Sequence, residues 1–220
     1  MNGRMKFKIS VDVVMIVLLF LLMAYHLIRG AVHEWDGVLF IVLIAVHQIL
    51  NRQWWKGLFR GRYTKFRVLQ VFCTVGLLAA VVGLAWSGFI MSRHVFSFVP
   101  QPRGSRVTAQ IVYLSMAYWA FVFAGLHLGF NWNVMQGMMR RFMKPSHNRD
   151  EIVQTAVVAV SVYGVYVLYD RHVWEYLFMQ THFVMYGARE NPLVFFADFL
   201  SFFVLFTAVG FCLSRWRALK

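Results

Sequence analysis

The sequence predicts an all-α protein, a polytopic membrane helix bundle of about six transmembrane helices. Composition is the first sign: 60% of the 220 residues are hydrophobic, 18% are aromatic and only 14% are charged, too apolar for an ordinary soluble domain. Segmentation is the second. The apolar residues gather in runs at about 11–29, 33–51, 68–91, 108–132, 152–170 and 193–213, each long enough to cross a hydrocarbon core of about 30 Å as a helix. The whole chain, 1–220, therefore reads as a single integral membrane domain.

The third sign is the placement of charge. A net charge of +13 would suit nucleic acid, but its distribution excludes that class. Of the 22 Lys and Arg, 16 fall in the amino terminus (Arg4, Lys6, Lys8), the stretch from Arg52 to Arg67, the stretch from Arg140 to Arg149, and the carboxyl tail (Arg215, Arg217, Lys220). The other six, Arg29, Arg93, Arg103, Arg106, Arg171 and Arg189, fall between the alternate runs. By the positive-inside rule both termini are cytoplasmic, and the connections 30–33, 92–107 and 171–192 face outward. The basic excess is topological, with anionic membrane lipid as its natural contact and no nucleic acid implied.

The first run follows a basic start and lacks a small-residue cleavage site, so it reads as a retained span rather than a removed signal. Near its outer end stands His26. The second run begins His33-Glu34-Trp35-Asp36-Gly37 and ends at His47-Gln48-Ile49-Leu50-Asn51. Fourteen residues at 100° each fall about 40° short of four turns, which puts His33 and His47 on one face about 21 Å apart. Trp54 and Trp55 then form an interfacial aromatic belt beside a short basic connector. The third run carries Gly76, Gly83 and Gly88 and leaves through Ser92 to His94 on the outer side. Pro100 and Pro102 break the connection before the fourth run, where Tyr113 and His127 repeat the fourteen-residue spacing.

Spans 2 and 4 run in the same direction, so His47 and His127 sit at matching inner depths and His33 and Tyr113 at matching outer ones. An imidazole within an apolar span is costly unless something such as a metal engages it, and a hydrogen bond to a neighbouring helix is the other solution. Gly125 and Gly129 flank His127, which suggests a bare helix surface beside the ring. Span 5 carries no ionisable residue before Asp170. After it, 171–192 reads as an outer cap on the membrane with His172 and His182. Span 6 holds Asp198, expected either to pair with Arg189, to face water, or to act in function. Cys73 and Cys212 lie within spans, and without a C-x-x-C-H motif any haem would be b-type, held by axial ligands alone.

Once the histidines are placed, the chain resembles a known family. His33-Glu34-Trp35-Asp36-Gly37, His47-x-Ile49-Leu50-Asn51, Trp55-Lys56-x-Leu58-Phe59-x-Gly61-Arg62-Tyr63-Thr64, Ser87-Gly88-Phe89-Ile90-Met91-Ser92, Tyr118-Trp119-x-Phe121 and Leu126-His127-Leu128-Gly129 resemble the flavinylation-associated cytochrome family of bacterial membrane proteins. The resemblance covers 11–140 well and the last two spans loosely. It implies a cytochrome b-like haem-binding four-helix core at 11–140, with two additional helices and the outer cap at 141–220. It also implies residence in the bacterial cytoplasmic membrane and haem b, at one site or two, with His47 and His127 as inner iron ligands. Relatives usually have histidine where this chain has Tyr113, and His-Trp where it has Asn131-Trp132. An outer haem on His33 would therefore take its second ligand from Tyr113, His26 or His94.

The function implied is electron transfer between a membrane or cytoplasmic-side donor, a quinone included, and an extracytoplasmic flavoprotein carrying covalent FMN. The FMN would sit only on that partner, since the chain lacks the acceptor sequence for it. Two other classes remain: a haem-free transporter or proton relay through His47, His127 and Asp198, and a membrane anchor for an extracellular redox enzyme. Catalysis within this chain is the weakest reading. It has no Ser-His-acid set, no paired carboxylates at useful spacing, no zinc pattern and no dinucleotide fingerprint. A non-catalytic electron-transfer subunit of an oxidoreductase system fits better.

Overall fold

In the computed structural model, which describes residues 3–28, 30–98, 104–139, 147–181 and 191–216, the chain is helical, and no strand occurs among the described residues. The helices are α1 (Gly3–Met23), α2 (Gly30–Leu50), α3 (Arg52–Leu58), α4 (Lys65–Met91), α5 (Ser105–Phe130), α6 (Trp132–Met139), α7 (His147–Asp170), α8 (Val173–Leu177) and α9 (Pro192–Trp216). Five are long and apolar enough to cross a membrane: α2, α4, α5, α7 from Asp150, and α9 to Arg215. These agree with predicted spans 2 to 6.

The first predicted span is the exception. The α-helix stops at Met23, and Tyr25–Leu27 form a 3-10 turn instead of carrying it to residue 29. Asp12 interrupts the apolar run, and the uncharged helical stretch after it, 13–23, is only 11 residues long, about 17 Å at 1.5 Å per residue. The connection predicted at 30–33 is likewise displaced, because α2 begins at Gly30 and takes those residues into its first turn. Arg29, Pro100, Pro102, Arg103, His182 and Arg189 lie outside the described residues.

The chain divides into two compact units, residues 1–63 with 83–113, and residues 64–82 with 114–220. In the first, α1 lies along α2. Val11, Leu18 and Leu19 of α1 are buried, as is Phe40 of α2. Val11 and Leu18 are seven residues apart, the spacing that returns to one helix face.

The second unit is built on close helix approach and aromatic packing. A Cβ on Gly164 of α7 would come within 2.5 Å of the Ser201 carbonyl oxygen of α9, so only glycine permits that crossing. Phe121, Phe195, Phe199, Phe202 and Phe203 fill the core, with Phe121 stacked on Phe202 at 5.4 Å and Phe195 on Phe199 at 4.4 Å. Between lipid-facing helices no hydrophobic difference drives association, so small residues and interlocking rings supply the contact. On α7 the apolar residues Val158, Val162, Val165, Tyr166 and Tyr169 point outward, as expected of a face that meets hydrocarbon rather than water.

Candidate functional site

Each candidate histidine is placed by its helix and then fixed by a polar side chain. His47 lies near the end of α2, and its Nδ1 is 2.7 Å from Asp12 Oδ1 of α1. His127 lies in the last turn of α5 with Nδ1 3.4 Å from Thr74 Oγ1 of α4. The Thr74 hydroxyl donates to the Gln70 carbonyl at 2.9 Å, so its oxygen faces His127 as an acceptor. In both rings the nitrogen these contacts engage is Nδ1, as donor. Metal-bound histidines are held in this manner, by a carboxylate, a carbonyl or a hydroxyl on the ring nitrogen that does not bind.

The backbones of the two histidines are also held alike. Asn51 Nδ2 donates to the His47 carbonyl at 2.9 Å, and Asn131 Nδ2 donates to the His127 carbonyl at 2.8 Å. Each carbonyl also accepts the same asparagine's backbone N–H, at 3.0 Å and 3.2 Å, so the side chain adds a second bond at the helix end, and a short helix, α3 or α6, follows each. His-x-x-x-Asn recurs, so spans 2 and 4 carry a local repeat beyond the shared fourteen-residue spacing. Asn131, a departure from the resembled pattern, does in span 4 what Asn51 does in span 2.

Two expectations about the His47 and His127 ends change. Both rings are half-buried rather than deeply buried in the chain. Gly125 and Gly129 do not bare the surface beside His127. Residues two apart on a helix point about 200° away from each other, so the glycines face α9, where a Cβ on Gly129 would lie 2.2 Å from the Thr207 carbonyl oxygen. Gly210 reciprocates, its Cβ position lying 2.6 Å from the Leu126 carbonyl oxygen. The bare face admits a helix backbone, not a porphyrin edge.

At the other end of α2, His33 is buried, and its Nε2 is 2.8 Å from the Tyr113 hydroxyl. Tyr25 meets the ring edge-on at 4.9 Å. His33 Nδ1 is buried without a hydrogen-bond partner. The sequence pairing of His33 with Tyr113 is thus real as a contact, but its chemistry differs from joint ligation. Metal–imidazole bonds are about 2 Å long, so an iron between two ligands needs about 4 Å, and the hydroxyl stands directly on Nε2. This geometry does not fit a second haem. His26 sits exposed in the 3-10 turn, and His94 is exposed beyond α4, so neither supplies a buried ligand there.

Glu34, next to His33, receives Ser92 Oγ at 2.7 Å and the backbone N–H groups of Arg93 at 2.8 Å, His94 at 3.0 Å and Val95 at 2.9 Å. The carboxylate thereby closes the end of α4. Two motifs far apart in sequence, His33-Glu34 and the Ser92 turn, meet in one nest of donors.

The described start of the segment after span 5, residues 171–181, packs within the second unit. Val173 and Tyr176 of α8 are buried. Tyr118 stacks on Tyr176 at 4.5 Å, and the Leu177 carbonyl accepts from Ser115 Oγ at 3.1 Å and Trp119 Nε1 at 3.0 Å. Asp198 pairs with Arg171: Nε donates to Oδ2 at 2.9 Å and Nη2 at 2.5 Å, while the Tyr163 hydroxyl donates to Oδ1 at 2.6 Å. The guanidinium also lies 5.7 Å from the Phe195 ring centre. Both carboxylate oxygens are thus engaged, by Arg171 and by Tyr163 of α7. Sequence reading missed Asp12, Thr74, Ser115 and Arg171. Asp12 alone had a visible signal, a carboxylate within an apolar helix.

No group of three or more His, Cys, Asp or Glu side chains suited to a metal ion occurs among the described residues. The chain matches no protein-family model, no curated protein and no solved structure.

Proposed function

We propose that the protein is a b-type cytochrome of the cytoplasmic membrane, a non-catalytic subunit that carries electrons between a membrane or cytoplasmic-side donor, such as a quinol, and an extracytoplasmic FMN-bearing flavoprotein. The observation that carries this reading is the shared arrangement of His47 and His127, each with Nδ1 engaged by a side chain of an adjacent helix, the hold given to a histidine that ligates through Nε2. That both histidines serve one iron rests on the sequence, which sets them at matching depths of parallel-running spans, and on the resemblance to flavinylation-associated cytochromes. A single haem b per chain is the count this reading takes, supported by the Tyr113 hydroxyl on His33 Nε2.

Bound there, haem would supply one-electron chemistry, with its potential set by the two imidazoles and by burial. Asp12 and Thr74 fix the ring tautomers, and Asn51 and Asn131 hold the ligand backbones. Both termini are assigned to the cytoplasm by the distribution of Lys and Arg.

The test is a reduced-minus-oxidised spectrum with pyridine-haemochrome quantitation on purified full-length protein, its His47→Ala and its His127→Ala. The expected result is one b haem per chain, lost in either variant. A folded wild-type protein that takes up no haem overturns the reading, as does undiminished haem in both variants.

A further inference from the structure

We infer that Asp12 is the positioning residue that orients His47 and sets the potential of the iron it would hold, an inference that rests on the cytochrome reading above. Asp12 is the only charged residue between Lys8 and the end of α1, and an acidic group in an apolar helix carries a standing cost that function ordinarily explains. Its one hydrogen bond among the described residues is to His47 Nδ1, at 2.7 Å, a separation typical of charge-assisted bonds. The two residues are 35 apart in sequence and sit on different helices, so the bond is a tertiary one. Their side chains are only 33% and 24% exposed, so the bond is partly shielded from competing water.

The contact at His127 Nδ1 is of another kind: the Thr74 hydroxyl is neutral and stands 3.4 Å away, a weak hydrogen bond by length. A carboxylate drawing on Nδ1–H makes the imidazole a more basic ligand, which favours ferric over ferrous iron and lowers the midpoint potential. Asp12 touches no iron; it acts through His47.

If Asp12 merely pinned α1 to α2, its removal would change stability and leave the potential of haem-loaded molecules where it was. Redox titration of the full-length protein separates the two, with haem content measured on the same samples. Asp12→Asn keeps an acceptor oxygen and removes the charge, so it should shift the equilibrium towards ferrous haem at least tenfold, about 59 mV upward for one electron. Asp12→Glu should recover most of the shift. An Asp12→Asn protein with full haem and the wild-type potential overturns the inference. Where Asp12→Asn takes up no haem, Asp12→Glu decides: haem at wild-type content supports the role of the carboxylate, and a folded, equally empty Asp12→Glu overturns it. Absence of haem from the wild type, or its full retention in both histidine variants, sinks the cytochrome reading instead, so the two failures are distinguishable.

Discussion

Replacing Gly129 with alanine tests whether the glycines of α5 serve the helix crossing. The added Cβ would stand 2.2 Å from the Thr207 carbonyl oxygen, 2.7 Å from the Phe211 nitrogen and 2.9 Å from Gly210 Cα, all backbone atoms, where ordinary contact begins at 3.4 Å. The shortfall is about 1.2 Å against a helix backbone that has no rotamer to change, so α5 and α9 must part by a comparable distance. A gap of 0.5–1 Å already forfeits roughly a quarter to a half of each dispersion contact, and overpacking of this kind costs about 1–3 kcal/mol, sometimes more. Alanine returns about 0.5–1 kcal/mol of helix propensity, leaving a net loss of up to about 2.5 kcal/mol. For a chain of this size that lowers the unfolding midpoint by up to about 10 °C. Thermal unfolding in detergent, followed by near-ultraviolet circular dichroism, measures it. Gly57→Ala and Gly137→Ala are the controls, because nothing lies within 4 Å of their Cβ positions. Gly125→Ala should fall between, its nearest atom being the Phe206 Cβ at 3.0 Å. A Gly129→Ala protein as stable as the controls would refute the reasoning.

Two other substitutions probe the polar contacts. Asp198→Asn leaves the Arg171 guanidinium, only 14% exposed, without its counter-charge, and should cost about 3–5 kcal/mol; in a double-mutant cycle, replacing both partners with apolar residues should cost less than the two single losses together. Tyr113→Phe removes the hydroxyl from His33 Nε2 while Nδ1 is already unpartnered. It should lower stability by about 1–3 kcal/mol in denaturant titration and leave haem content unchanged, because the proposed haem belongs to His47 and His127.

Sequence alone determined the helical class, spans 2 to 6 and the positions of the histidines, since each depends on information local in the chain. Uninterrupted apolar length makes a span, and a fourteen-residue spacing makes a shared face, whatever the neighbours. Span 1 departs in extent: its α-helix ends at Met23, short of residue 29. Tertiary structure decided the use of each polar group. Asp198 found Arg171, Glu34 found the Ser92 turn, and Asp12 found His47. Where water is scarce a polar side chain takes whichever partner the packed helices bring within about 3 Å, and sequence distance does not predict that partner. The glycines make the same point. Their spacing on α5 was legible, but whether a porphyrin or a backbone fills the space they leave depended on α9, more than 60 residues away in sequence.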